Sequence, residues 1–371
     1  MSGRTFARSF VCAILRIVVT RVTPPPLGSC RRAVASGVIA GILLTASTAA
    51  RGAGPFAFFS PTLELRPSDE RALDAGHTLV RILPAPDAQL AVFAAATVRT
   101  SADQLVQHVR RIEELKRGKY VQMIHRFSNP PELRDLDALT LDPDDLSDLD
   151  SCAPGDCDIK LSADEILELR AALRGSVAGR STRVDRVYRE LVLARVRGYL
   201  AEGQRSLPAY VDQRLPLSPA DAFGRVIAQV PHLTRQSPAF AAFLTEFPRR
   251  SAAGVESFLY WSKEQFGGKP TLNVTHVAIL LDPAGGGAPP RVLVAGRQVF
   301  ATHYTNASLS LTTLLADESG RQYLTYLNQS EIDALGGFFG WLKRSLVERR
   351  IRSEAERVMD GLRDRVEQPV R

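Results

Sequence analysis

Apolar residues in this chain are spaced as strands near residue 80, as helices through the middle, and as strands again from residue 255. Leu79–Leu83 and residues 90–94 are short apolar runs separated by the turn Pro84-Ala85-Pro86-Asp87. Helical spacing follows. Leu105, Val109, Ile112 and Leu115 share one face of a helix predicted over residues 101–116, and residues 121–124 predict a further short strand. Ser162-Ala163-Asp164-Glu165 is a capping box, opening a helix expected to reach Arg174 with Ile166, Leu169 and Leu173 on its apolar face. Val184, Val187, Tyr188 and Leu191 mark another helix over residues 181–200, and proline-punctuated helices or turns continue to Pro248.

β-branched and aromatic runs then predict strands at residues 255–262, 272–281, 291–301, 309–315 and 322–328, with a hairpin turn at Asp282-Pro283-Ala284-Gly285-Gly286-Gly287. A long helix is expected from Ser330, where Ile332, Leu335, Phe339, Leu342 and Leu346 form a stripe that Val347, Ile351, Val358 and Leu362 continue after a shift. Gly336, Gly337 and Gly340 interrupt it, each costing about 1 kcal/mol inside a helix. The order predicts an α+β fold: an antiparallel sheet gripping a long C-terminal helix, with a large helical insertion over residues 100–250 and the later strands and helix over residues 255–371. Residues 54–371 are expected to form one domain.

Polar clusters qualify this picture without supplying a reaction. Residues 131–150 carry eight acids against Arg134 alone, but the D-x-D-x-D-G spacing and closing Glu of a calcium loop are missing. Asp142-Pro143 reads instead as a helix N-cap with proline at the first position. Ten arginines between Arg170 and Arg214 suggest a phosphate-binding surface, yet Asp185, Glu190, Glu202 and Asp212 dilute them and Tyr188 belongs to an apolar stripe. Cys152 and Cys157 flank the turn Ala153-Pro154-Gly155-Asp156, the arrangement of a structural disulfide that pins a turn. No further Cys or neighbouring His completes a zinc set, and the spacing is not C-x-x-C.

The chain has 371 residues, is 45% hydrophobic and 23% charged, and carries a formal net charge of +7. That composition is globular, which excludes long disordered and multi-span membrane classes. The seven arginines of residues 1–53, unaccompanied by any acid, account for the whole charge excess, so the body is neutral and no nucleic-acid partner is implied. Arg31-Arg32 precede an 18-residue apolar stretch over residues 33–50 that ends in Ala46-Ser47-Thr48-Ala49-Ala50, the pattern of an export signal. The expectation is an exported protein, periplasmic or secreted, with this stretch either removed or retained as a membrane anchor.

Gly118-Lys119-Tyr120-Val121, Phe127-Ser128-Asn129-Pro130-Pro131, the Cys152–Cys157 turn, Tyr260-Trp261-Ser262-Lys263-Glu264, Ala301-Thr302-His303-Tyr304 and Tyr326-Leu327-Asn328 together resemble a family of exported bacterial proteins. The resemblance implies kinship and export and brings no catalytic residues. In architecture the chain is similar to the START-like helix-grip fold, which implies a sheet curled around the last helix with an apolar ligand between them. The helical section here is much longer than in that fold.

No G-x-S-x-G elbow, P-loop or dinucleotide fingerprint occurs, no cofactor is called for, and the six histidines form no H-x-x-x-H pattern. Adjacent strand residues such as Lys263 and Glu264 point to opposite faces, which argues against an acid/base pair. The candidate site comes instead from late aromatic residues and the helix glycines: Phe258, Tyr260, Trp261, Phe300, His303, Tyr304, Tyr326, Gly336, Phe339 and Trp341. These residue types serve equally as a sheet-on-helix core. As a site, they predict a cavity at Gly336–Leu346 that takes a hydrophobic small molecule or lipid. Two other readings remain open: a periplasmic enzyme with a cleft at His303 and Tyr304, aided by His276, and an envelope-associated protein touching a membrane surface through Phe338-Phe339.

Overall fold

Eight strands pair into one antiparallel sheet in the order β1-β2-β8-β7-β6-β5-β4-β3. The structure is a computed structural model that describes residues 54–174, 178–265, 268–283, 290–335 and 340–370, with side chains at 334 and 340–347 excepted. The export-signal expectation for residues 1–53 lies outside the described residues. The strands are β1 (Leu79–Leu83), β2 (Gln89–Val98), β3 (Val121–Arg126), β4 (Val255–Glu264), β5 (Thr271–Leu281), β6 (Val292–Ala301), β7 (Thr305–Ala316) and β8 (Gln322–Ile332). The helices are α1 (Pro67–Asp74), α2 (Ala102–Arg110), α3 (Ile112–Leu115), α4 (Pro143–Asp148), α5 (Ala163–Leu173), α6 (Arg180–Glu202), α7 (Pro219–Ala228), α8 (Pro231–Gln236), α9 (Pro238–Glu246) and α10 (Gly340–Val366).

Strand alternation gives the sheet two apolar faces, and each is covered. On β2, Ala94, Ala96 and Val98 pack with α2 and with Met359 and Val366 of α10, while Ala91, Phe93 and Ala95 pack on the other side with Phe59, Phe223 and Phe240. This is the helix-grip arrangement: α2, α3 and α10 on one face of the sheet. β3, expected as a short strand at residues 121–124, divides the mainly helical region over residues 100–250 and joins the edge of the sheet beside β4. The added helical section occupies residues 127–254, between β3 and β4, and covers the face opposite α10. There α5 and α6 lie over Leu259, Trp261, Val274 and Phe300, and α7–α9 over the middle strands.

Local sequence accounts for these elements. Ser162 and Glu165 form the reciprocal capping box at the start of α5. Glu165 also takes a buried ion pair from Arg195 of α6, tying the two helices together. Pro143 opens α4 at its first position. The Asp142 side chain does not cap that helix but pairs with Lys263 of β4 at 2.9 Å. Several other arginines of this section serve the fold: Arg170 donates to the Cys152 carbonyl, Arg189 to that of Leu139 and Arg197 to that of Pro131. Cys152 and Cys157 form a disulfide, and the loop it closes is stitched to residues 211–212 through the Gly155 and Cys157 amides.

The final helix begins later than its apolar stripe suggested. Ser330 and Ile332 belong to β8, whose ladder with β2 runs on through Leu90–Ser330 and Gln89–Glu331, so backbone pairing holds this stretch extended. α10 starts at Gly340, and no helix among the described residues is long and apolar enough to cross a membrane.

Candidate functional site

A cavity of about 460 Å³ separates the sheet from α10. Its floor is the α10-facing set of the central strands: Ala94 of β2, Val277 of β5, Val294 and Gly296 of β6, Ser310 and Thr312 of β7, and Tyr326 of β8. Ala355, Val358, Met359 and Leu362 of α10 form the roof, and Val109, Ile112 and Leu115 close one side. Two glycines hold it open. A Cβ on Gly296 would stand 2.6 Å from Ser310 Oγ, so a larger residue there would force Ser310 to move, whereas a Cβ on Gly361 of α10 would meet nothing within 4 Å. Glycine inside a helix costs about 1 kcal/mol, and here it leaves the roof thin.

One polar cluster interrupts the apolar wall. Lys116, just past α3, donates to Glu264 Oε1 at 2.7 Å and to the Tyr260 hydroxyl at 3.1 Å, and Ser262 Oγ donates to the same Glu264 oxygen at 2.6 Å. Alternation along β4 aims Tyr260, Ser262 and Glu264 to this side, while Lys263 points away to Asp142. Burial opposes charge on both members of the pair. For Lys116, the attraction of Glu264 outweighs that penalty and its pKa is raised. For Glu264, the attraction of Lys116 and the hydrogen bonds from Lys116 and Ser262 outweigh it and its pKa is lowered. The wall therefore carries a charged but mutually neutralised pair. Across the floor, burial pushes the Tyr326 hydroxyl upward.

Of the residues expected at the site, the structure brings Tyr260 and Tyr326 into the cavity. Phe258 faces the same side and packs with Val277 and Ile279, beneath the Arg126 guanidinium at 4.0 Å. Trp261 and Phe300 are not in the cavity; both are buried on the opposite face with α5 and α6. Trp261 follows Tyr260 on one strand, so alternation sends it away, and its Nε1 donates to the Asp135 carbonyl at 2.8 Å. Phe300 would face α10 by simple alternation from Val294, but an extra residue at Val299 shifts the β5–β6 register and turns it over. It lies instead under Arg195 at 4.1 Å. Gly336 and Phe339 fall outside the described residues, as does Phe338. Trp341 lies in the first turn of α10. Among the described residues the cavity meets α10 between Glu354 and Arg365; the expected place at Gly336–Leu346 lies outside the described side chains.

His303 and Tyr304 sit at the β6–β7 bend, away from the cavity, and form no catalytic cleft. His303 is buried with both ring nitrogens occupied, Nδ1 at 2.9 Å from the Asp158 carbonyl and Nε2 at 2.9 Å from Asp145 Oδ2. A general base needs a nitrogen facing the substrate. Lys269 joins the cluster through Asp145, Asp148 and Asp158, so these acids serve as partners of Lys269 and His303. Tyr304 has φ +61° and is 43% exposed, and its hydroxyl accepts the Lys269 amide at 2.7 Å. His276 does not converge with them. Leu272 accepts the Thr302 amide, and His276 lies four residues further along β5, about 13 Å away at strand rise. It is buried among Tyr199, Phe243 and Phe247, with Nδ1 2.9 Å from the Tyr199 hydroxyl.

Sequence reasoning missed Lys116 and Gly361. Lys116 reads as the polar end of a helix, and nothing local announces a partner 148 residues downstream. Gly361 did carry a signal, being a glycine inside an apolar-striped helix. No protein-family model and no curated protein matches the chain. Among solved structures it is similar to the Zhui aromatase/cyclase from Streptomyces sp. R1128, at 17% identity and a TM-score of 0.23, over 41% of this chain and 89% of that one.

Proposed function

We propose that this protein binds or carries a hydrophobic, lipid-like small molecule in the cavity between its sheet and α10, and that it does so outside the cytoplasm. The cavity itself carries the reading. At about 460 Å³ it falls within the roughly 300–1,000 Å³ typical of small-molecule sites, and it has their usual make-up: apolar walls with a few placed polar groups. A glycine in the helix roof and one in the floor keep free a volume that ordinary core residues would fill, at a cost in stability. The extracytoplasmic setting is supported by the Cys152–Cys157 disulfide, since such bonds persist in oxidising compartments.

Filling the cavity from above tests the binding role. Gly361→Leu places a side chain in open space and replaces a poor helix former with a good one, a gain of about 1 kcal/mol in helix propensity. The full-chain variant is expected to unfold at the same temperature or higher, while its affinity for an environment-sensitive apolar dye falls by about tenfold or more, the equivalent of 1.4 kcal/mol. Unchanged dye affinity in a folded Gly361→Leu protein would remove the cavity as the binding site.

A further inference from the structure

We infer that the ligand is a single-chain amphiphile whose anionic head docks on Arg117 and Arg365 at the mouth of the cavity. This rests on the reading of the cavity as a ligand site and adds the chemistry of the ligand. Five cations border the cavity, Lys116, Arg117, Lys119, Arg357 and Arg365, against two carboxylates, Glu264 and Glu354. Both carboxylates are already taken. Glu264 is held by Lys116, and Glu354 by Lys119 at 3.5 Å, by Arg357 and by the Tyr120 hydroxyl. Among the described residues no carboxylate forms an ion pair with Arg117 or Arg365, so two of the three surplus positive charges at the mouth reside on these arginines, the third being spread over Lys119 and Arg357, which share Glu354.

Their setting suits an anion. Arg365 is anchored by one arm, Nη1 donating to the Leu115 carbonyl at 2.6 Å. Its Nη2 would lie 3.9 Å from a Cβ on Gly118, and the missing side chain leaves that flank of the guanidinium uncovered. Arg117 is the residue before that glycine and is exposed. An arginine fork matches carboxylate and phosphate geometry, and uncompensated charge beside a low-dielectric cavity draws anions toward it. Inside, the neutralised Lys116–Glu264 pair adds no net charge, so a chain entering beyond the head meets mainly apolar wall. The volume suits one chain, since it lies in the lower half of the range for drug-sized ligands.

Calorimetric titration of the full-length protein with dodecanoate, dodecyl phosphate and dodecanol separates the possibilities. At low salt at least one anion should bind about tenfold more tightly than the alcohol, the size of one charge-assisted hydrogen bond. Preference for dodecanoate alone points to free fatty acids, and preference for the phosphate alone to lipid phosphates; either supports the anionic head. Arg117→Gln with Arg365→Gln should abolish the preference, bringing the anions to the level at which the same variant binds the alcohol. Arg117→Gln alone, at an exposed position, should remove part of the preference and guards against a double variant that fails to fold. Equal affinity for all three compounds, or a preference that survives in the variants, would overturn the inference while leaving the cavity as a binding site. If none of the three binds, the cavity reading fails and this inference with it.

Discussion

Replacing Lys160 by Met should destabilise the protein by about 3–5 kcal/mol, the cost of stranding buried charge when one partner of a buried pair is removed. The Lys160 side chain is 2% exposed. Its ammonium group lies 2.6 Å from Asp333, 3.3 Å from Asp212 and 2.8 Å from Asn306 Oδ1. One lysine thus joins the helical section over residues 127–254 to the bulged start of β7 and to the turn that follows β8. Burial raises the Asp333 pKa and Lys160 works against that rise, so without the lysine Asp333 is free to take a proton. The loss in Lys160→Met should therefore be largest near neutral pH and shrink in acid. Urea denaturation of the full chain at pH 7 and pH 5 reads both effects. A loss under about 1 kcal/mol, the range of exposed pairs, would show that this contact does not hold the helical section to the sheet.

Acidification should cost as much through two buried histidines. Burial lowers His232 to about 4, with Arg235 adding to the shift, and lowers His276 to about 3, with Arg297 adding to it. Both are almost wholly buried, and Nε2 of each has no hydrogen-bond partner. In the unfolded chain each would titrate near 6.5. Because the folded values are depressed, the stability they contribute is fully present above about pH 6.5 and is lost as pH falls toward the folded values. The slope is about 1.4 kcal/mol per pH unit for each histidine. From pH 7 to pH 4.5 the two together remove about 5 kcal/mol. Asp145, Glu165 and Glu264 carry lowered pKa values, because their cationic partners and hydrogen bonds outweigh burial. Their loss therefore falls at lower pH than that of the histidines. Two imidazoles should stay neutral to pH 5 in an NMR titration of the folded protein, and His276→Gln should flatten the stability profile by about one proton. An unaltered slope in a folded variant would contradict this.

Much of the architecture is legible because strand alternation and helix caps are local. The runs at 255–262, 272–281 and 291–301 match β4, β5 and β6 closely, and the capping box at Ser162 opens α5 as its residues demand. The boundary at Ser330 was misread because its apolar spacing suits a helix, while the pairing with Leu90 and Gln89 that decides the matter is remote in sequence. The site was harder to read for two physical reasons. Counting aromatic residues ignores that Tyr260 and Trp261, as neighbours on one strand, cannot share a face, and the bulge at Val299 that turns Phe300 over leaves no mark in the residues themselves. Meeting points are also set by the closed fold: Lys116 finds Glu264, and Gly361 thins the roof over the central strands.

Occupancy of the cavity is the central claim, and mass spectrometry of the intact protein tests it most directly. The full chain, purified without detergent, should carry a small molecule that organic extraction releases. A variant filled from roof and floor, Gly361→Leu with Ala94→Trp, should be free of it while keeping a cooperative unfolding transition. Wild-type protein that is ligand-free and binds no added amphiphile, or a filled variant that retains the same bound mass, would contradict the account.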